Sequence, residues 1–165
     1  MASCAAAFSV REVERADRPA IISIIEKSGN LSEEEKDCAR ELLDVYLKEG
    51  LGGDYRFIAA AGEKDAPVGY ACYGPVSLSE GVYDIYWILV DPEFQGMGAG
   101  RALVGHIEGL FKRHGGRMLV VETSSTASYE RARSFYLRCG FREEARIRDF
   151  FKPGDDKVIY VKGIA

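Results

Sequence analysis

The spacing of apolar and polar residues changes several times along the chain, and each change marks an element. Residues 8–13 alternate apolar and polar, the period of a half-buried strand. Ile21, Ile22, Ile24 and Ile25 then cluster behind Asp17 and Pro19. Asp at the N-cap and Pro in the first turn favour a helix start, and Ser28-Gly29-Asn30 ends it. Ser32 with Glu35 three residues on forms a capping box for a second helix. Cys38, Leu42, Val45 and Tyr46 fall on one face of it, and Gly50 stops it. Gly52-Gly53-Asp54 reads as a connector.

Residues 55–61 form a strand, 62–67 a turn and 68–74 its antiparallel partner; residues 82–90 supply the next strand. A glycine-rich turn leads into a helix with a stripe of Leu103, Val104, Ile107, Leu110 and Phe111, closed at His114-Gly115-Gly116. Residues 117–123 read as a strand buried on both faces. Residues 129–139 read as a helix with Ala132, Phe135 and Tyr136 along one side, Gly140 just past its end and Phe141 as the clasp. Strands 142–150 and 157–162 follow, joined by Pro153-Gly154-Asp155-Asp156. The order is strand, two helices, three strands, helix, strand, helix, two strands. Helices between later strands require parallel pairing and the hairpins require antiparallel pairing, so the sheet is mixed. No repeat or low-complexity stretch interrupts it, and we expect one domain over residues 1–165.

Composition narrows the classes. With 165 residues and 47% apolar content the chain supports one real core. A net charge of −4 argues against a nucleic-acid binder. Cys4, Cys38, Cys72 and Cys139 are scattered, and His106 and His114 are not placed to complete a zinc site, so reduced thiols and no metal are expected. No apolar run approaches the ~18–20 residues of a membrane helix. The N-terminus lacks a basic leader. A soluble, cytoplasmic protein without a membrane partner is the expectation.

The chemistry concentrates between Val82 and Arg101. A buried strand breaks at Asp91-Pro92, passes through Gln95-Gly96-Met97-Gly98-Ala99-Gly100 and enters a helix at Arg101. Unpaired N–H groups and the helix dipole make such a turn an anion site. A dinucleotide fold would need Gly-x-Gly-x-x-Gly after the first strand, and a P-loop would need Gly-Lys-Ser/Thr; neither is present.

These residues carry a resemblance. Val90-Asp91-Pro92 with Gln95 through Leu103 resembles the acetyl-CoA signature of the GNAT superfamily of N-acetyltransferases. The run from Ala132 to Phe141 resembles the family's Ala-x-x-Phe-Tyr-x-x-x-Gly-Phe. The resemblance implies an α+β fold: a mixed, splayed, mostly antiparallel sheet of about seven strands with four helices, in three layers. It implies that acetyl-CoA's pyrophosphate sits on Gln95, Gly96, Met97, Gly98, Ala99, Gly100 and Arg101, with pantetheine along the strand edge at Leu89 and Val90. It implies transfer of the acetyl group to a primary amine of a small molecule, by direct attack in a ternary complex. A non-catalytic acyl-CoA-binding module, or a peptide N-acetyltransferase, is the alternative. Members often dimerise, which leaves a homodimer open.

Two protons must move. An ammonium with a pKa near 10 is only about a thousandth neutral at pH 7, and the departing thiolate must be protonated. Tyr136 lies where the family places its acid. Asp84 and Tyr86, two apart on one strand and so on one face, and Glu122 at the end of the next strand are candidate bases, with a water relay at Asp84 favoured. Where many members carry Asn, this chain has Tyr129; Ser125 or Thr126 is the substitute for its pantetheine contact. Arg131, Arg133 and Arg138 read as a solvated face, with Arg133 or Lys112 as alternative partners of the cofactor's 3′-phosphate. Tyr55, Tyr73, Tyr83, Phe150 and Phe151 are expected to line an acceptor pocket, with Asp84, Glu122 and Asp149 favouring a cationic acceptor.

Overall fold

A computed structural model describes residues 8–50 and 53–164; the expectations for Cys4, for the N-terminal leader and for Gly52 lie outside them. Its elements are β1 (Ser9–Glu12), α1 (Arg18–Lys27), α2 (Glu33–Glu49), β2 (Arg56–Ala61), β3 (Pro67–Pro75), β4 (Val82–Val90), α3 (Ala99–Arg113), β5 (Met118–Ser124), α4 (Glu130–Arg138), β6 (Arg142–Lys152) and β7 (Asp155–Gly163). This is a mixed α+β fold, with the strands hydrogen-bonded in the order β1-β2-β3-β4-β5-β7-β6. The ladders β1–β2, β2–β3, β5–β7 and β6–β7 are antiparallel, and β4–β5 is parallel. No helix among the described residues is long and apolar enough to cross a membrane.

The described residues form two compact units, residues 8–50, 53–74 and 87–107, and residues 75–86 with 108–164. In the first, Ile21 and Ile25 of α1, Leu43 of α2, Phe57 of β2 and Tyr70 and Cys72 of β3 form one buried cluster. Each such apolar side chain contributes roughly 1.5–3 kcal/mol by leaving water. Trp87 and Leu89, at the end of β4, pack against it. Tyr55 packs there as well, and Tyr73 is buried, which places both in packing rather than in an acceptor pocket.

The capping box at Ser32 forms as anticipated: Glu35 N–H donates to Ser32 Oγ at 3.2 Å and Ser32 N–H to Glu35 Oε2 at 2.7 Å. The buried face of α2 is rotated from the expected one, however. Ala39, Leu43 and Tyr46 are buried, spaced four and three apart, while Cys38 is exposed. Asp17 also behaves differently. It occupies the N-cap of α1 but makes no cap bond, because its carboxylate accepts two bonds from Arg11, at 2.7 and 3.0 Å, and one from Glu14 N–H.

In the second unit β5 lies between the first half of β4 and β7, with β6 outermost. Register assigns the faces. Tyr83 pairs with Leu119 and Tyr160 with Val121, so these four side chains share one face. Phe111 of α3 stacks on Tyr83 with ring centroids 3.7 Å apart, and Tyr136 of α4 lies 6.1 Å from Tyr160. Both helices therefore cover this face, and Tyr83 is packing, not pocket lining. Asp84, Val120, Glu122 and Lys157 alternate onto the opposite face. β5 is consequently buried on one side only over its middle, with Leu119 and Val121 covered and Glu122 exposed, where burial on both faces was expected.

Candidate active site

The anion turn belongs to the first unit. Asp91 ends β4 and caps the short helical turn Pro92–Phe94 by accepting from Glu93 N–H at 3.1 Å. Its other oxygen binds Lys27 Nζ at 2.7 Å, and this pairing holds the Asp91 carboxyl below its usual range. Gly96 and Gly98 follow with φ of +80° and +101°. An added Cβ at either would meet no protein atom within 4 Å, so it is the backbone conformation, and not packing within the chain, that calls for glycine here. The Gly98 carbonyl accepts from Ala102 N–H at 2.9 Å and so opens α3. The N–H groups of Ala99, Gly100 and Arg101 then fall in the first turn, where no intrahelical acceptor exists. Ala99 is buried, and Gln95, Gly96, Met97, Gly98 and Arg101 are exposed around it. Gln95 uses its side chain to donate to the Val90 carbonyl at 3.1 Å, tying the turn to the end of β4. Leu89 and Val90 are half-buried, and Gly69 of β3 approaches them so closely that a Cβ would sit 3.0 Å from the Leu89 carbonyl oxygen.

The acid–base candidates belong to the second unit. The parallel ladder of β4 and β5 stops at Asp84↔Val120, while β5 continues to Ser124. Asp84 is half-buried at this last rung. Burial raises its pKa, the Glu122 charge raises it further, and Lys157 lowers it. Tyr86 is on the same face and 39% exposed. Glu122 is exposed and its Oε2 accepts from Lys157 Nζ at 2.6 Å. Tyr136 is buried among Phe135, Phe141 and Tyr160. Burial pushes its phenol above the ordinary value of 10.0, so it stays protonated. Gly140 (φ +85°) and Phe141 end α4 as expected, with Phe141 N–H returning to the Tyr136 carbonyl at 3.0 Å.

Three expected contacts are engaged otherwise. Arg133 Nη1 donates to the carbonyls of Ser124 and Thr126 at 2.7 and 2.8 Å, which makes it a clamp on the β5–α4 loop instead of a group held out toward a phosphate. Ser125 Oγ accepts from Asp156 N–H at 2.8 Å, and Thr126 Oγ1 pairs with Ser124 Oγ. Asp149 accepts from Gly154 N–H at 2.7 Å and so closes the last hairpin instead of facing an acceptor. Two interactions escaped the sequence reading. Lys157 meets Glu122 only through the β5–β7 register, which no local pattern encodes. The buried Ser124–Asp155 bond, 2.6 Å, joins residues 31 apart.

A family model described as the Acetyltransferase (GNAT) family matches residues 18–141, a span that includes both the turn and Tyr136. A GNAT-family protein of Desulfovibrio desulfuricans is similar over 96% of this chain and 100% of its own, with 41% identity and a TM-score of 0.90. The ribosomal-protein-S18-alanine N-acetyltransferase of Escherichia coli shares the fold at 21% identity, TM-score 0.73, over 96% and 95% of the two chains. The PaiA N-acetyltransferase of Thermoplasma acidophilum, solved with coenzyme A, does so at 19% identity, TM-score 0.74, over 95% and 99%. No curated protein matches the chain.

Proposed function

The chain belongs to the GNAT family of acetyltransferases, and from that premise we propose that it transfers acetyl from acetyl-CoA to a primary amine of a small molecule. The observation that carries the proposal is the turn at Gly96 and Gly98. Two left-handed glycines stand exposed before the open first-turn N–H groups of α3. Backbone donors and the helix dipole suit a pyrophosphate, and the absence of side chains lets it approach. Arg101 adds a positive charge beside them. The coenzyme A bound by the Thermoplasma relative supports this reading.

The acid–base groups suit direct attack. The amine nitrogen forms a bond to the thioester carbonyl carbon, and the carbon–sulfur bond breaks. Asp84, through water, takes the proton of the acceptor's ammonium; its raised pKa makes it a better base than a solvated aspartate. Tyr136 gives its phenolic proton to the leaving thiolate and regains one from the acceptor nitrogen. The products are an amide and free coenzyme A. Register puts Asp84 on one face of the sheet and the Tyr136 ring against the other. In this reading base and acid come from opposite faces of the strands. In this reading residues 1–165 are one catalytic domain acting in the cytoplasm on two diffusible substrates.

The test is release of free thiol from acetyl-CoA by the purified protein across a panel of small amines, peptides with free N-termini and lysine peptides, with the product identified by mass. Acetylation of a small amine at least tenfold above any peptide is expected. Transfer to peptides alone would replace the acceptor class, and no thiol release with any acceptor would overturn catalysis.

A further inference from the structure

On the face of β4 and β5 that carries Asp84, a cation enters from a third strand. Lys157 of β7 stands two residues from Ile159, the partner of Glu122, so its side chain reaches Glu122 diagonally across the ladder. Nζ lies 2.6 Å from Glu122 Oε2 and 3.9 Å from the centre of the Phe150 ring. The Lys157 side chain is only 15% exposed, although Glu122 is 49% exposed. A lysine held between a carboxylate and an aromatic face is confined, where an ordinary surface lysine swings freely. Asp84, by contrast, has no ion-pair partner among the described residues. The charged groups that act on it are Glu122 from β5 and Lys157 from β7, with opposite signs.

We propose that Lys157 is a positioning residue for acyl transfer: by pairing with Glu122 from β7, it leaves Asp84 as the unpaired carboxylate of that face, the one that takes the acceptor's proton. The reason is charge balance. Two carboxylates on one face compete for a single proton, and neither is then a well-defined base. Pairing Glu122 with Lys157 removes that ambiguity and leaves a local charge of one negative unit, matched to one ammonium. This decides between the two carboxylates, Asp84 and Glu122, and it rests on the acyl-transfer reading given above.

The test reads the carboxyl titration of Asp84 by 13C NMR in the protein without substrates, in wild type, Lys157→Met, Lys157→Arg and Glu122→Gln. Lys157→Met should raise the Asp84 midpoint by about half a pH unit, because Glu122 then acts on it unopposed. Lys157→Arg should restore it, and Glu122→Gln should lower it. In turnover, the acidic limb of kcat/KM should move with the NMR midpoint while KM for acetyl-CoA stays constant. An unmoved midpoint in Lys157→Met, or a failure of Lys157→Arg to restore it, overturns the proposal. Should Lys157→Met not fold, Glu122→Gln decides, and an unshifted midpoint there overturns it too. Midpoints that shift as expected in a protein that acetylates no amine uphold the ion-pair arrangement and remove the acyl-transfer reading, so the two failures are distinct.

Discussion

Lys27, the last residue of α1, places its Nζ 2.7 Å from Asp91 Oδ2, at the residue where β4 turns toward the glycines. The helix end thus holds the entry to the anion turn through one buried carboxylate. Asp91→Asn keeps an oxygen for the Glu93 cap but loses the charge. KM for acetyl-CoA should rise about tenfold, the equivalent of one hydrogen bond to a charged group, with kcat little changed. The Asp91 carboxyl is held below 3.8, chiefly by Lys27, so the tie is complete above that pH and is lost as pH falls through the lowered value. Steady-state kinetics of the variant check the first point.

Tyr136 should be required for turnover and dispensable for binding. Tyr136→Phe keeps the ring against Phe141 and Tyr160 and removes only the proton donor. Its kcat should fall about a hundredfold or more, with calorimetric affinity for coenzyme A unchanged. Because burial keeps the phenol protonated above 10.0, wild-type activity should show no alkaline limb from this group below that pH.

Asp84 should be costly to stability and needed for rate. Its folded pKa is raised, so the folded state holds the proton more tightly than the unfolded chain does. Its favourable contribution is therefore full below 3.8 and lost as pH rises through the folded value. Asp84→Asn should be more stable than wild type at pH 7 and equal to it near pH 3, while kcat/KM at pH 7 falls about a hundredfold. Denaturant unfolding at the two pH values checks the sign.

Tyr70 buries a hydroxyl that has no hydrogen-bond partner among the described residues, in the middle of the cluster beneath α1 and α2. An unmet donor in apolar surroundings costs about 1–3 kcal/mol. Tyr70→Phe retains the stack on Phe57, at 5.9 Å between ring centroids, and should raise stability by about 1 kcal/mol in a urea melt.

What the sequence disclosed and what it withheld divide along a physical line. Signals carried within one element were legible: the Ser32–Glu35 box and the exit of α4 at Gly140. Signals that depend on pairing between distant strands were not. Lys157 and Glu122 are 35 positions apart, and Ser124 and Asp155 are 31. Tyr83 seemed free to line a pocket because its partner, Phe111, stands on a helix whose direction no local pattern gives. The α2 face was misjudged because Cys38 and Leu42 flank the stripe of Ala39, Leu43 and Tyr46 by one position, and one residue on a helix is about 100°. Asp17 has the residue type of a cap, yet Arg11, six positions away, outcompetes the helix for its oxygens.

The outermost strand, β6, is exposed at every one of its 11 positions and carries Ile147, Phe150 and Phe151 on its surface. Such an edge invites a second sheet, but its pairing with β7 shifts register twice, between Glu143 and Ala145 and between Ile147 and Lys152, and Asp149 adopts a φ of +51°. The unbroken run of ladder is then only Ala145, Arg146 and Ile147, with arginine at its centre. An incoming strand would find a bent, charged template too short to extend. The aromatic residues at the end of β6 can thus stay in water beside Lys157 without making the protein prone to aggregate through this edge.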